Sequence, residues 1–135
     1  MKILYGVPGE GMGHATRSKV VIDHLLKEHD VQVVSSGRAF KFLDKSFPGR
    51  VHEIGGLHFA YKNSKVSKPG TFLLNLKNIP HNLVRNFSQY LFIDKNFKPD
   101  LVISDFESFT HFFAVSHRLP LISIDNMQVM NRCTL

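Results

Sequence analysis

Lys2-Ile-Leu-Tyr5 runs directly into Gly6-Val-Pro-Gly9-Glu10-Gly11-Met-Gly13-His14-Ala-Thr-Arg17-Ser18. A short apolar strand that ends among four glycines, with a helical pattern resuming at Ala15, requires a sharp turn. Free backbone N–H groups collect at such a helix start, where partial positive charge gathers and anions bind. His14 closes the turn, and Arg17 and Ser18 follow within the first helical turn. The segment therefore joins a phosphate cradle to a side chain that exchanges a proton near neutral pH.

Strand and helix patterns alternate along the rest of the chain. The expected order is strand 2–7, helix 15–29, strand 31–36, helix 38–47 and strand 51–55. In the first helix Val21, Leu25 and Leu26 share one face, with Ile22 flanking. A connection from Gly55 to Gly70 carries Lys62, Lys65 and Lys68. Helical stretches 72–79 and 81–96 follow, divided at Pro80, then strand 101–105, helix 107–117 and strand 121–125. Such alternation specifies an α/β, Rossmann-like, doubly wound parallel sheet. Right-handed crossovers make the leading strand order 3-2-1-4-5. Ligands in such sheets sit beyond the carboxyl ends of the strands where the winding reverses, here between the first and fourth strands. The loops Gly9–His14 and Asp105-Phe106-Glu107 converge there, so His14 and Asp105 should meet. Asp125, Asn126 and Gln128 are expected to form the adjacent rim.

At 135 residues the chain is one domain. A single cysteine, Cys133, leaves no internal disulfide, and no signal-peptide pattern opens the sequence. With no apolar run of about 20 residues either, the expectation is a cytoplasmic protein. The net charge of +6 is modest and favours anionic partners in general. Nucleic acid is not expected, because the aromatics fall at core spacing and no basic helix stands out. The histidines other than His14 lack ligand spacing and have no cysteine pair beside them, so no metal site is expected. Phe72-Leu73-Leu74, Leu76, Ile79, Leu83 and Phe87, flanked by Lys62, Lys65, Lys68 and Lys77, admit two readings. An amphipathic helix covering the sheet is the favoured one, and a lipid-facing patch is its rival.

The dinucleotide fingerprint G-x-G-x-x-G fails, because Gly9 and Gly11 fit its first two positions but the third falls on His14. The acidic ribose ligand expected after the second strand is replaced by Ser35-Ser36-Gly37-Arg38. Arg38 would suit a 2′-phosphate, which keeps an NADP-binding oxidoreductase as the alternative. No Gly-Lys-Ser/Thr follows the glycines, so a P-loop is excluded.

The pattern Gly11-x-Gly13-His14-x-x-Arg17-Ser18 resembles the N-terminal domain of GT-B glycosyltransferases. The nearest likeness is to the branch holding lipid-linked N-acetylglucosaminyl transferases and teichoic-acid-related transferases. Pro99-Asp-Leu-Val-Ile-Ser-Asp105-Phe-Glu107 and Pro120-Leu-Ile-Ser-Ile-Asp125-Asn126 look like later strands of the same domain. The resemblance spans the whole chain but implies only the first of two domains, the acceptor side, with a C-terminal donor domain as partner. It implies transfer of a sugar, with inversion, from a nucleotide-diphosphate sugar to a sugar or lipid-linked acceptor, without a further cofactor. Cell-envelope polysaccharide or glycolipid synthesis, with peripheral contact at the inner membrane face, would be the setting.

Carried over by position, the resemblance puts Gly9, Gly11 and Gly13 near the donor diphosphate and acceptor. Arg17, Ser18 and Asn126 lie beside them. It makes His14 the base for the acceptor hydroxyl and Asp105 its orienting carboxylate, with Glu10 or Glu107 as possible sharers of the role. A carboxylate on the far ring nitrogen fixes the tautomer and stabilises the imidazolium. Simpler roles exist for each: His14 as a turn or cap residue, Asp105 as the N-cap of helix 107–117, Arg17 as a solvated side chain, and Glu107 as a dipole partner.

Overall fold

The computed structural model describes residues 1–56, 61–62, 65–66 and 68–124, without the side chains of 61–62, 65–66, 68–72, 74–75 and 78. Five parallel strands form the sheet: β1 (Lys2–Val7), β2 (Asp30–Ser35), β3 (Val51–Glu53), β6 (Leu101–Ser104) and β7 (Leu121–Ser123). Their order is β3-β2-β1-β6-β7, which is the expected 3-2-1-4-5 winding. A two-stranded antiparallel hairpin, β4 (Tyr61–Lys62) and β5 (Lys65–Val66), stands apart within the segment read as a plain connection.

Two apolar layers enclose the sheet. Ile3, Tyr5 and Val7 of β1 point to one side, against Ala15 and Ile22 of α1 (Met12–Leu25) and Ala39 and Leu43 of α2 (Gly37–Ser46). Leu4 points to the other side with Val102, Phe109 and Phe113, beneath α4 (Ser108–His117). This period-two division explains why β1 reads as an unbroken apolar run: both of its faces are buried. Gly6 shares the α4 side. A Cβ there would lie 2.3 Å from Thr110 Oγ1, so the missing side chain lets α4 settle directly on β1.

Several local expectations are corrected. The first helix begins at Met12, not Ala15, and its buried stripe is Ala15, Ser18 and Ile22, with Ile22 central rather than flanking. The last helix begins at Ser108, one residue after the expected start, and buries Phe109, Phe113 and Ala114. Pro80 does not divide two helices, because α3 runs unbroken from Lys68 to Phe92. A proline there removes the hydrogen bond to the Leu76 carbonyl. Both residues are exposed, so water can take the lost donor's place. A π-helical turn, Ile93–Phe97, then closes with Lys98 in the left-handed region, and both Ile93 and Phe97 reach the core.

The described part of the α3 stripe does not cover the sheet, and Phe72 and Leu74 lie outside the described side chains. Leu73, Leu76, Ile79, Leu83 and Phe87 are all exposed. Polar side chains hold the middle of the helix, with Asn86 Oδ1 accepting from the Gly55 amide at 2.7 Å and Arg85 pairing with Glu53 at 3.2 Å, while Tyr90 near its end packs on Phe113. A Cβ on Gly55 would fall 2.4 Å from that of Asn82, so helix and chain touch there.

Candidate active site

β1 and β6 lie side by side, with Gly6 opposite Ser104, and the Asp105 amide donates to the Gly6 carbonyl at 2.9 Å. That register brings the loops after both strands to one place. His14 Nδ1 lies 3.0 Å from Asp105 Oδ1, across 91 residues of sequence. Asp105 is fully buried, whereas the His14 side chain is 37% exposed. Ser18 Oγ donates to the second carboxylate oxygen at 2.9 Å. The Arg17 guanidinium donates to Oδ1 through Nη2, and the same nitrogen reaches the Ile124 carbonyl at 3.4 Å. Three side chains of α1 are thus gathered on one buried carboxylate from the loop after β6.

The donor inventory assigns the histidine tautomer. An ionised carboxylate only accepts, so the proton of the contact belongs to His14 Nδ1. The 3.3 Å approach of Arg17 Nη2 to Nδ1 is then a crowding of two donors around one oxygen, not a bond between them. Nε2 keeps its lone pair for solvent or substrate. Tyr5, fully buried beneath the loop, continues the network by hydrogen-bonding Ser18. Burial raises the Tyr5 hydroxyl above its ordinary range, and the Asp105 charge adds to the rise. Tyr5 escaped sequence reasoning because it reads as one more apolar strand residue. Its inward position in β1, on the α1 side, was the available signal.

The helix start faces the same crevice. Gly11 caps α1 with φ +85°, a left-handed geometry that suits glycine. The His14 amide turns back to the Gly11 carbonyl at 3.3 Å. From Ala15 onward amides bond within the helix, so the helix-start donors left for an anion are those of Met12 and Gly13. A Cβ on Gly13 would meet nothing within 4 Å, and the space above it is open. Gly9 has a packing reason instead: its Cβ would lie 2.1 Å from Ser36 Oγ.

The remaining expected residues are placed differently. Glu107, not Asp105, caps α4, with Oε2 accepting from the Thr110 amide at 2.8 Å. Burial raises its carboxyl above the ordinary range, against the lowering effect of the amides it accepts. Glu10 stands 3.7 Å from Arg38, which is the residue expected to take a 2′-phosphate. Asn126, with Asp125 and Gln128, lies outside the described residues. Phe106 holds φ 56° between Asp105 and Glu107, a left-handed geometry that costs a non-glycine residue about 1–2 kcal/mol. Its ring is exposed beside the site. A separate depression of about 300 Å³, lined by His52, Ser88, Gln89 and Phe92, lies at β3, the edge strand of the sheet.

Residues 1–135 match the family described as glycosyl transferase family 1. The chain belongs to that family. Membership brings glycosyl transfer as the general activity and agrees with a GT-B type domain. A comparison with curated proteins finds no match. Among solved structures, the chain is similar to the C-terminal domain (residues 83–215) of the PF1911 hydrogenase from Pyrococcus furiosus. That likeness has a TM-score of 0.54 at 14% identity and covers 91% of this chain and 90% of that one. At such identity it speaks to fold alone. Among the described residues, no helix is long and apolar enough to cross a membrane.

Proposed function

We propose that this chain is the acceptor-side domain of an inverting glycosyltransferase, with His14 as base and Asp105 as its positioning carboxylate. The observation that carries the reading is the 3.0 Å contact between His14 Nδ1 and a fully buried Asp105 where the carboxyl ends of β1 and β6 meet. The acceptor hydroxyl gives its proton to Nε2 while its oxygen bonds to the anomeric carbon of a nucleotide-diphosphate sugar. The bond from that carbon to the diphosphate breaks on the opposite face, and its electron pair leaves with the phosphate. The imidazolium so formed faces Asp105, which offsets the opposition of the α1 N-terminus, about 0.3–1 kcal/mol. The Met12 and Gly13 amides and the open space above Gly13 suit the growing phosphate charge. Arg17 is committed to Asp105, so in this reading it acts through the carboxylate first and on the diphosphate second.

In this reading a C-terminal donor domain supplies the other wall of the cleft, and residues 1–135 by themselves do not turn over. The acceptor is a sugar or lipid-linked hydroxyl, in the manner of the lipid-linked N-acetylglucosaminyl and teichoic-acid-related branch. The test is nucleoside diphosphate release by the intact protein, with the product's anomeric configuration read by NMR. His14→Ala should lower kcat by about 10²–10⁴, the usual worth of a general base, with little change in donor KM. Undiminished turnover by that variant, or a retained anomeric configuration, refutes the proposal. Tight NADPH binding in a parallel titration would favour the oxidoreductase instead.

A further inference from the structure

The depression at β3 is built from one strand residue and the end of one helix. Gly6 lies opposite Val34, and Val34 opposite His52, so His52 stands two strand spacings, about 10 Å, from β1. In-register neighbours point the same way, and Val34 packs with Leu4, Ile54 and Ile93 on the side away from α1. His52 shares that side and meets Phe92 of α3. The depression and the crevice at His14 have no residue in common.

Its polar groups are set before any ligand arrives. Gln32 Oε1 accepts from His52 Nε2 at 2.7 Å, which leaves Nδ1 an acceptor with no hydrogen bond among the described residues. Burial lowers the His52 pKa, so the ring is neutral at pH 7. Phe92 is 47% exposed, yet it closes α3 directly before the core residue Ile93, which anchors the ring. Its centroid is 5.2 Å from that of His52, with the planes at 47°. The Ser88 hydroxyl and the Gln89 amide complete the lining, and among the described residues no hydrogen bond engages either. The four side chains thus offer one apolar ring face and three uncommitted polar groups, without a charge.

We propose that this depression binds a neutral pyranoside, one sugar unit, at a site separate from the crevice at His14. A pyranoside carries C–H groups on one face, which suit the Phe92 ring, and hydroxyls around its rim. Those hydroxyls donate to His52 Nδ1 and exchange hydrogen bonds with Ser88 and Gln89. A volume of about 300 Å³ is at the small end for ligand pockets and suits a single ring. A phosphate or carboxylate would meet no cation in the lining, and the neighbouring Arg85 is already paired with Glu53. A nucleobase calls for two parallel walls, whereas Phe92 and His52 are steeply tilted. The chemistry at His14 plays no part, so either reading can fail alone.

The test is NMR titration of the intact protein with methyl β-D-glucopyranoside. Amides of 88–92 and the His52 ring protons should shift together and saturate, with a Kd on the order of 1–10 mM for so small a ligand. Phe92→Ala should weaken binding about fivefold or more, and Phe92→Tyr, which keeps the ring face, should stay within about twofold. Gln89→Ala should weaken it about threefold or more. That substitution removes no hydrogen bond among the described residues, so its thermal midpoint should match the parent's and it decides the matter even if Phe92→Ala unfolds. His14→Ala should leave binding unchanged. Three outcomes overturn the proposal. One is no saturating shift at these residues well above that concentration range; another is uridine or inorganic phosphate binding there as tightly as the glucoside. The third is an affinity that neither Phe92→Ala nor Gln89→Ala moves.

Discussion

Replacing Ser18 by alanine tests the buried end of the His14–Asp105 arrangement without touching substrate. Ser18 and Asp105 are both fully buried, and the hydroxyl donates to Oδ2 at 2.9 Å. A hydrogen bond to a charged group contributes about 1.5–3 kcal/mol, and its loss leaves one carboxylate oxygen without that donor. Alanine's better helix propensity returns up to about 0.7 kcal/mol, so the net cost is about 2 kcal/mol. Unfolding entropy near 2.1 cal/mol/K per residue amounts to about 0.28 kcal/mol/K for this length, so Tm should fall by about 7 °C. Calorimetry gives that number directly. In an Asp105→Asn background the same substitution should cost less, with a coupling of about 1 kcal/mol or more. Nitrogen chemical shifts of the His14 ring give a second readout. A freed carboxylate can rotate, and the Nδ1–H tautomer should lose its dominance. A Ser18→Ala protein within about 2 °C of the parent, or with equal cost in both backgrounds, would show that Ser18 does not hold Asp105.

The two loop glycines should respond oppositely. Gly9→Ala drives a Cβ to 2.1 Å from Ser36 Oγ and 2.7 Å from the Ser36 carbonyl, so thermal melts should show a loss of about 1–3 kcal/mol. Gly13→Ala meets nothing and should be neutral or stabilising by about 0.5–1 kcal/mol, yet raise donor KM if diphosphate occupies the open space. Equal melting of the two variants would contradict this packing. Glu107 tests the pH dependence of stability. Its folded carboxyl titrates above the ordinary 4.5, so the folded state holds that proton more readily and the parent loses stability as pH rises through the raised value. Glu107→Gln keeps an acceptor for the Thr110 amide but carries no charge. Urea midpoints should therefore shift in its favour as pH rises from about 4.5, and the reverse trend would refute the burial assignment.

Much of the architecture was legible because its signals are local. Alternating apolar runs and helical periods specified the strands, and crossover handedness specified their order. The meeting of residues 14 and 105 followed from that order alone, since parallel strands deliver their loops to one end of the sheet. Ser18 shows where local signals stop. A serine in the buried stripe of α1 lowers the apparent amphipathicity, so the sequence pointed to Val21 and Leu25, while Asp105 kept the helix face around Ser18 inward. The α4 cap turned on a similar competition: Asp105 was the simpler candidate from sequence, but it is taken by His14, Arg17 and Ser18, and Glu107 caps the helix.

From its residues alone, then, this chain determined a doubly wound sheet with a glycine turn and a histidine at its switch point, because periodicity and turn chemistry act over a few residues. Tertiary structure decided the rest. It chose which carboxylate the histidine would share, made Tyr5 part of a polar network, and turned Leu73, Leu83 and Phe87 of α3 outward while Asn86 held Gly55 beyond β3. Those outcomes depend on competition between groups distant in sequence for the same buried space, and no window along the chain contains both competitors.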